Sequence, residues 1–384
     1  MSKIANNPGR QILVTWASPD SANIGVQTLA NGAEYLSRRV FGDEVTLTFT
    51  FSLFNEREEN RLLSNKQLII SQFSKKSKLH RYLSRFDLIL DTCGGDSFTD
   101  IYGTGRFLRI LLLQRAAAQI GVPVVMTHQT FGPIRNKIIA KLASLHLKRN
   151  KNILLVCRDS ESYAISQKFM PANRLILASD LSFYFQEESD LVRSGIALNV
   201  SGLLWDPNSH VDYMQYRSET MKFIELLLES GRKVTIFDNV SSFQESADDD
   251  SRPGKYLKAK FGESLSYSQP KSITEAKNSL KTFEVVVGAR MHACLNSLNV
   301  GTPAIALAYS RKFAPIFRDL GWPIGVDLRS SEFFAEELME LLPEFLLKTD
   351  DVTKVKESAL AKLHSTEPKI RDWLASLEQN DYED

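Results

Sequence analysis

The chain has 384 residues, 43% of them hydrophobic, with 47 Lys+Arg against 46 Asp+Glu and a formal net charge of +1. That is too long for one small core and too apolar for disorder, so two globular domains are expected, and collagen, a coiled-coil array and a disordered tail are excluded. The near-zero balance gives no whole-chain field for holding nucleic acid or an anionic bilayer. No nucleic-acid partner is expected, and any anionic ligand must be captured by a local site. The three cysteines, Cys93, Cys157 and Cys294, lie far apart with no CxxC pair, which argues against a disulfide framework or zinc knuckle and fits a reducing cytoplasm. The opening MSKIANNPGRQ lacks an apolar core of signal-peptide length, and the apolar stretch 107–126 is interrupted by Arg109, Gln114, Arg115 and Gln119. Neither secretion by that route nor a membrane span is expected.

In chain order, short apolar runs bounded by turn residues alternate with longer segments of helical spacing, the rhythm of βαβ units. Strands are predicted at 11–17, 44–50, 86–91, 122–127 and 153–157, with helices near 24–39, 58–74, 104–120 and 135–149. After the polar stretch 186–194 a second series follows, with strands at 195–200, 233–237, 284–287 and 303–308 and helices near 211–229, 272–281, 291–299 and 312–320. Residues from 331 onward read as helical. Near-continuous apolar strands point to parallel sheets covered on both faces. The expectation is therefore α/β: a doubly wound Rossmann-like domain over 1–185, a second over 186–330, and C-terminal helices over 331–384 packing back on the domains. Two such domains place the loops after their strands toward a shared cleft, and function is sought in those loops.

The most informative loop is GARMHACLNSLNVGTP, 288–303, between a strand and a helix. An Arg and a His at a helix's first turn lie beside unpaired backbone N–H groups and the positive end of the dipole, a corner that favours phosphate or carboxylate. The alternative is that Arg290 pairs with a core acidic residue and His292 is a satisfied, half-buried histidine.

Read with its neighbours, this loop resembles the signature region of the polysaccharide pyruvyl transferase family: strand, GxRxHA, helix, GxP, strand, then Tyr309 and Lys312. The resemblance extends over 12 to about 325 in the family's order, through TWASPDSANIGVQTLANGAEYL (15–36), LILDTCGGDSFTD (88–100), THQTFGPI (127–134), VCRDSESY (156–163), ILASDLSF (176–183) and GIALNVSG (195–202). Two departures stand out: Gly25 is followed by Val26 where the family commonly has Asp, and Asp96 replaces a common third glycine. The resemblance implies a two-domain, GT-B-like fold and an enzyme that moves a pyruvyl group from phosphoenolpyruvate to two sugar hydroxyls as a ketal. It implies Arg290 and His292 as the signature pair, with Arg158, Met291 and Lys312 beside the donor. Asn23, Gly25, Gly94, Gly95, Asp96, His128 and Gln129 would lie on the acceptor side. Phosphoenolpyruvate is a substrate in this scheme and no cofactor is implied. The acceptor is a sugar or lipid-linked glycan, handled in the cytoplasm or at the inner face of the membrane.

The donor's chemistry asks for the same residue types. Phosphate and carboxylate on adjacent atoms suit two guanidinium groups. The methylene carbon must gain a proton while the attacking hydroxyl loses one, work for a group titrating near neutrality, which is His292. Two rival readings remain open: a GT-B glycosyltransferase using a nucleotide sugar, and a non-catalytic sugar- or phosphate-binding relative.

Weaker signals have two readings each. Asn23 is an ordinary N-cap or an acceptor contact. Gly94 and Gly95 shape a strand-to-helix corner or cradle phosphate, and His128 with Gln129 closes a turn or meets sugar hydroxyls. Asp248, Asp249 and Asp250 read as a solvated run, with no metal expected. The basic helix 135–151 reads as a core-facing apolar stripe with a solvated basic face; the alternative is a surface that meets anionic lipid.

Overall fold

Strand after strand in this chain is a run of Val, Ile, Leu and Ala with no exposed face, which only a sheet covered by helices on both sides accommodates. The computed structural model describes residues 9–50, 64–184, 191–241 and 248–380. By contacts it divides into two units: Met1–Pro19, Leu29–Tyr184 and Leu360–Asp384 form the first, and Asp20–Thr28 with Phe185–Ala359 the second.

The first unit contains β1 (Arg10–Thr15), β2 (Val45–Thr50), β3 (Leu88–Asp91), β4 (Val124–Gln129), β5 (Ile153–Cys157) and β6 (Leu175–Leu177). They form one sheet in the order β2-β1-β3-β4-β5-β6, every pairing parallel. Leu13, Ile89, Val124, Met126 and Leu155 face a core closed by Phe98, Phe107 and Phe131.

The second unit contains β7 (Ile196–Asn199), β8 (Val234–Phe237), β9 (Leu265–Ser268), β10 (Val285–Gly288), β11 (Ala304–Ala308) and β12 (Gly325–Asp327). The order is β12-β11-β10-β7-β8-β9, again all parallel. From β7 the chain winds outward one way through β8 and β9, then returns to β10 and winds the other way. That reversal lies between β7 and β10 and makes their carboxyl ends the switch point, the place where doubly wound sheets take their ligands.

Both doubly wound sheets and the helical C-terminus, Phe334–Leu346, Thr349–His364 and Thr366–Asn380, agree with expectation. The helix expected over 58–74 is found as Asn65–Phe73; residues 58–63, and 186–190 of the expected boundary, lie outside the described residues. Not foreseen were β6, β9, β12 and the helices Lys78–Leu83, Ser160–Ser166, Gly202–Trp205 and Ser251–Phe261. The three strands are short, β9 and β12 partly polar, and the helix Ser251–Phe261 carries Pro253 and Gly254. Proline costs little in a first helical turn, where its missing N–H has no partner to lose. A side chain at Gly254 would come within 2.7 Å of the Tyr267 ring and 2.9 Å of Asp238 Oδ1.

Candidate functional site

At the switch point of the second unit, the chain leaves β10 through Ala289 and Arg290 and enters the helix Met291–Asn299. Asn199, the last residue of β7, fixes this turn: its Oδ1 accepts from the Arg290 N–H at 2.9 Å, and its Nδ2 donates to Phe237 O and to Asp250 Oδ2. His292 then stands half-buried in the first helical turn. Its ring lies against Gly25, where an added Cβ would come within 2.8 Å of Nδ1. Only glycine leaves room for this imidazole. Residues 20–28 are tied to the same unit, with Gln27 accepting from the Ile273 N–H and donating to Lys271 O, and Asn296 Nδ2 donating to Thr28 Oγ1. Asn23 acts as a cap, its Oδ1 accepting from the Gly25 N–H at 2.8 Å. The structure thus brings Asn23, Gly25, Arg290, Met291 and His292 into one unit.

Arg290 is the first correction. Its guanidinium donates Nε and Nη2 to Asp250 Oδ1 and Nη1 to Asp248 Oδ1, with a further bond from Nη2 to the Asp248 carbonyl. Four of the five N–H groups of a guanidinium are therefore used inside the protein. Burial alone disfavours this charge, yet Asp250 and Asp248 outweigh it and hold the pKa above the ordinary arginine value. The two carboxylates differ in setting. The Asp250 side chain is 0% exposed, and it also accepts from the N–H groups of Gly202, Asn239 and Val240. The Asp248 side chain is 47% exposed.

The same observation overturns the reading of Asp248–Asp250 as a solvated run. Asp249 and Asp250 are buried, and Asp249 Oδ1 accepts from the Ser251 N–H as the helix begins. A Cβ at Gly202 would sit 2.1 Å from Asp249 O, so this loop packs backbone to backbone. What makes the acidic run structural is a buried arginine needing counter-charges, which local polarity did not reveal.

In the first unit Arg158 is likewise committed, so the two-guanidinium clamp is a second correction. Its Nη1 donates to Asp180 Oδ2 at 2.8 Å and its Nε to Thr130 Oγ1, and both side chains of the ion pair are essentially unexposed. Gly94 and Gly95 shape the turn after β3 with positive φ, and a Cβ on Gly95 would meet Arg158 Nη1 at 3.3 Å. Asp96 accepts from Tyr102 OH. His128 and Gln129 are fully buried, against the reading that they reach sugar hydroxyls. Burial pulls the His128 pKa down to about 3, so the ring is neutral, with Nδ1 against Thr127 Oγ1 at 2.6 Å.

Two cavities flank the strand ends of the second unit. One, of about 520 Å³, is lined by Asn208, His210, Gln215 and Arg329 among others. Its His210 ring lies 5.2 Å from that of Tyr309, and its pKa is lowered by burial and by nearby Lys312, which places Lys312 at this edge. The other, of about 430 Å³, is lined by Ser21, Ser241, Lys255, Gln269 and Lys271 among others. Behind it Asp238, at the end of β8, accepts from Tyr267 OH and Gln269 Nε2. Burial pushes the Asp238 carboxyl up to about 7, aided by Asp250 and Asp249. Asn199, His210, Asp238 and Asp250 were not singled out in the sequence as site residues; the Asn closing β7 within GIALNVSG was the one available signal. Among the described residues no group of three or more His, Cys, Asp or Glu is arranged to hold a metal ion.

The family model for polysaccharide pyruvyl transferases matches residues 33–311. A curated relative, the amylovoran biosynthesis protein AmsJ of Erwinia amylovora, is 23% identical over 274 residues, covering 66% of this chain; the match spans 63% of that protein's own length. Among solved structures, MnaA of S. aureus with UDP is similar in fold at 10% identity and TM-score 0.55, covering 92% of each chain. UDP-GlcNAc 2-epimerase of Neisseria meningitidis bound to UDP-GlcNAc is similar at 9% identity and TM-score 0.51, covering 95% of this chain and 100% of that one.

Proposed function

Because the chain belongs to the polysaccharide pyruvyl transferase family, we propose that it transfers a pyruvyl group from phosphoenolpyruvate to two hydroxyls of a glycan precursor, forming a ketal and releasing phosphate. The observation that carries this reading is the placement of His292 at the reversal of the second sheet, its imidazole seated on Gly25 and its turn locked by Asn199 and Arg290.

In this reaction the donor's methylene carbon gains a proton, the first hydroxyl adds to C2 and gives up its proton, and the C2–O bond to phosphate breaks. The second hydroxyl then adds to C2 and loses its proton, so a methyl ketal and hydrogen phosphate result. His292 exchanges the proton with hydroxyl or carbon, as a positioned imidazole can do. Arg290 holds the turn through Asp250. Its Nη1 contact with the half-exposed Asp248 is the one a donor carboxylate can replace, keeping the charge-assisted pairing. Lys312, near His210, is the cation that the phosphate end of the donor would meet.

A second reading has one observation in its favour. Asp238 ends β8 beside a cavity, where dinucleotide-binding sheets place a ribose-binding carboxylate, and the similar folds above were solved with UDP or UDP-GlcNAc. That favours a nucleotide-sugar enzyme. Thermal-shift measurement separates the two, since stabilisation follows affinity by mass action: phosphoenolpyruvate raises Tm on the first reading, and UDP alone does so on the second. His292→Ala lowers phosphate release by about 10²–10⁴-fold if the imidazole transfers a proton; release near the wild-type rate removes that role.

A further inference from the structure

The helix Lys137–Arg149 of the first unit has two apolar faces and needs only one. Ile139, Ala143, His146 and Leu147 are buried against the domain. Ile138, Leu142 and Leu145 point outward, 71%, 44% and 46% exposed. These three stand at i, i+4 and i+7, a continuous stripe on the outer side; Lys141 and Lys148 fall at the spacings that border it, and Arg149, four residues after Leu145, ends it. The stripe of Ile and Leu read from the sequence as core-facing is therefore split between the core and the surface.

Charge marks what covers the outer stripe. From Arg135 to Lys151 the chain carries six basic residues, namely Arg135, Lys137, Lys141, Lys148, Arg149 and Lys151, and no Asp or Glu. All six are exposed. A chain of net charge +1 has thus collected a block of positive charge around one exposed apolar stripe. A protein partner or second copy would ask the stripe to be buried and six cations to find counter-charges. A bilayer with anionic headgroups offers both, with acyl chains for the leucines and phosphates at the level of the lysines. The helix is 13 residues long, about 20 Å, too short to cross a hydrocarbon core. No described helix is long and apolar enough to do so.

We propose that the helix Lys137–Arg149 is an in-plane membrane contact, with Ile138, Leu142 and Leu145 set among the acyl chains of an anionic leaflet and Lys141, Lys148 and Arg149 at its headgroups. A contact of this kind brings the first unit to a glycan carried on a lipid, and it stands whether or not pyruvyl transfer is the reaction.

The test is co-sedimentation of the full chain with mixed phosphatidylcholine–phosphatidylglycerol vesicles and with phosphatidylcholine vesicles alone. The wild type is expected to pellet with the anionic vesicles, less so as salt rises and screens the headgroups. Each charge near the surface contributes about fivefold in binding. Lys141→Glu, Lys148→Glu and Arg149→Glu together therefore weaken it by about a hundredfold or more. Ile138→Ser with Leu142→Ser and Leu145→Ser weakens it at both low and high salt. All six positions are exposed, and an unchanged Tm certifies the fold of each variant. A wild-type chain that stays in the supernatant, equal binding to neutral vesicles, or variants that pellet like the wild type overturn the proposal. So does a vesicle-free dimer that the serine variant converts to monomer, since a second copy would then cover the stripe.

Discussion

Replacing Asp250 by Asn tests whether one buried carboxylate organises the site. Asp250 accepts six hydrogen bonds, three on each oxygen: Gly202 N–H and Arg290 Nε and Nη2 on Oδ1, Asn199 Nδ2, Asn239 N–H and Val240 N–H on Oδ2. An amide turns one of those acceptors into a donor facing donors, and it removes the principal counter-charge of an arginine whose side chain is 9% exposed. Breaking a buried ion pair by removing one partner costs about 3–5 kcal/mol. Asp248→Asn breaks the neighbouring pair at a 47% exposed carboxylate and costs about 0–1 kcal/mol. The two single changes on the same guanidinium should therefore differ by about 3 kcal/mol, or roughly 6–12 °C in melting temperature for a unit of this size. Thermal and urea unfolding of both variants measure it. Equal losses for Asp248→Asn and Asp250→Asn, or a loss below about 1 kcal/mol for Asp250→Asn, would refute the assignment of Asp250 as the anchor.

Gly25→Ala drives a methyl group to 2.8 Å from His292 Nδ1; about tenfold or more of turnover is expected to be lost, with Tm within a few degrees of wild type, because displacing the imidazole proposed to move the proton costs rate more than stability. Asp238 gives a pH signature. Its folded pKa, up to about 7 from the ordinary 3.8, favours the protonated carboxyl, so the stability it contributes is present at low pH and is lost as pH rises from about 4 to 7, by up to about 4 kcal/mol. Asp238→Asn should remove that part of the pH slope in urea unfolding, and an identical slope in the variant refutes the assignment. His128 has the opposite sign: with its pKa depressed to about 3 by burial, its contribution is present above the unfolded value of about 6.5 and is lost as pH falls from there to about 3. His128→Gln should flatten that acid limb.

Much of the fold was readable because its signal is repetitive. Every predicted strand overlaps an observed one, since buried parallel strands are near-continuous apolar runs that nothing else in the chain imitates. β6, β9 and β12 escaped because three or four residues carry no period. At the site, the sequence identified the turn after β10 but not what its arginine does. Whether Arg290 reaches a ligand or a carboxylate depends on Asp250, 40 residues away, and such a partner is set by tertiary packing. The acidic run was misjudged for the same reason: three consecutive aspartates look solvated until a buried guanidinium is found beside them. Gly25 shows the converse. As a family-pattern residue it had no visible cause, and the imidazole of His292 supplies one. The outward stripe of the basic helix could not be separated from its inward one by spacing alone, because Ile138 and Ile139 are neighbours and only packing decides which is covered.

Chemistry at His292 is read from the mass of a glycan acceptor incubated with phosphoenolpyruvate and the full chain, with phosphate followed in the same mixture. Pyruvyl transfer through His292 gives an acceptor heavier by pyruvic acid less one water and one phosphate for each such product, both formed about 10²–10⁴-fold more slowly by His292→Ala. An acceptor of unchanged mass with wild-type protein, or one that gains a sugar only when a nucleotide sugar is supplied, contradicts it.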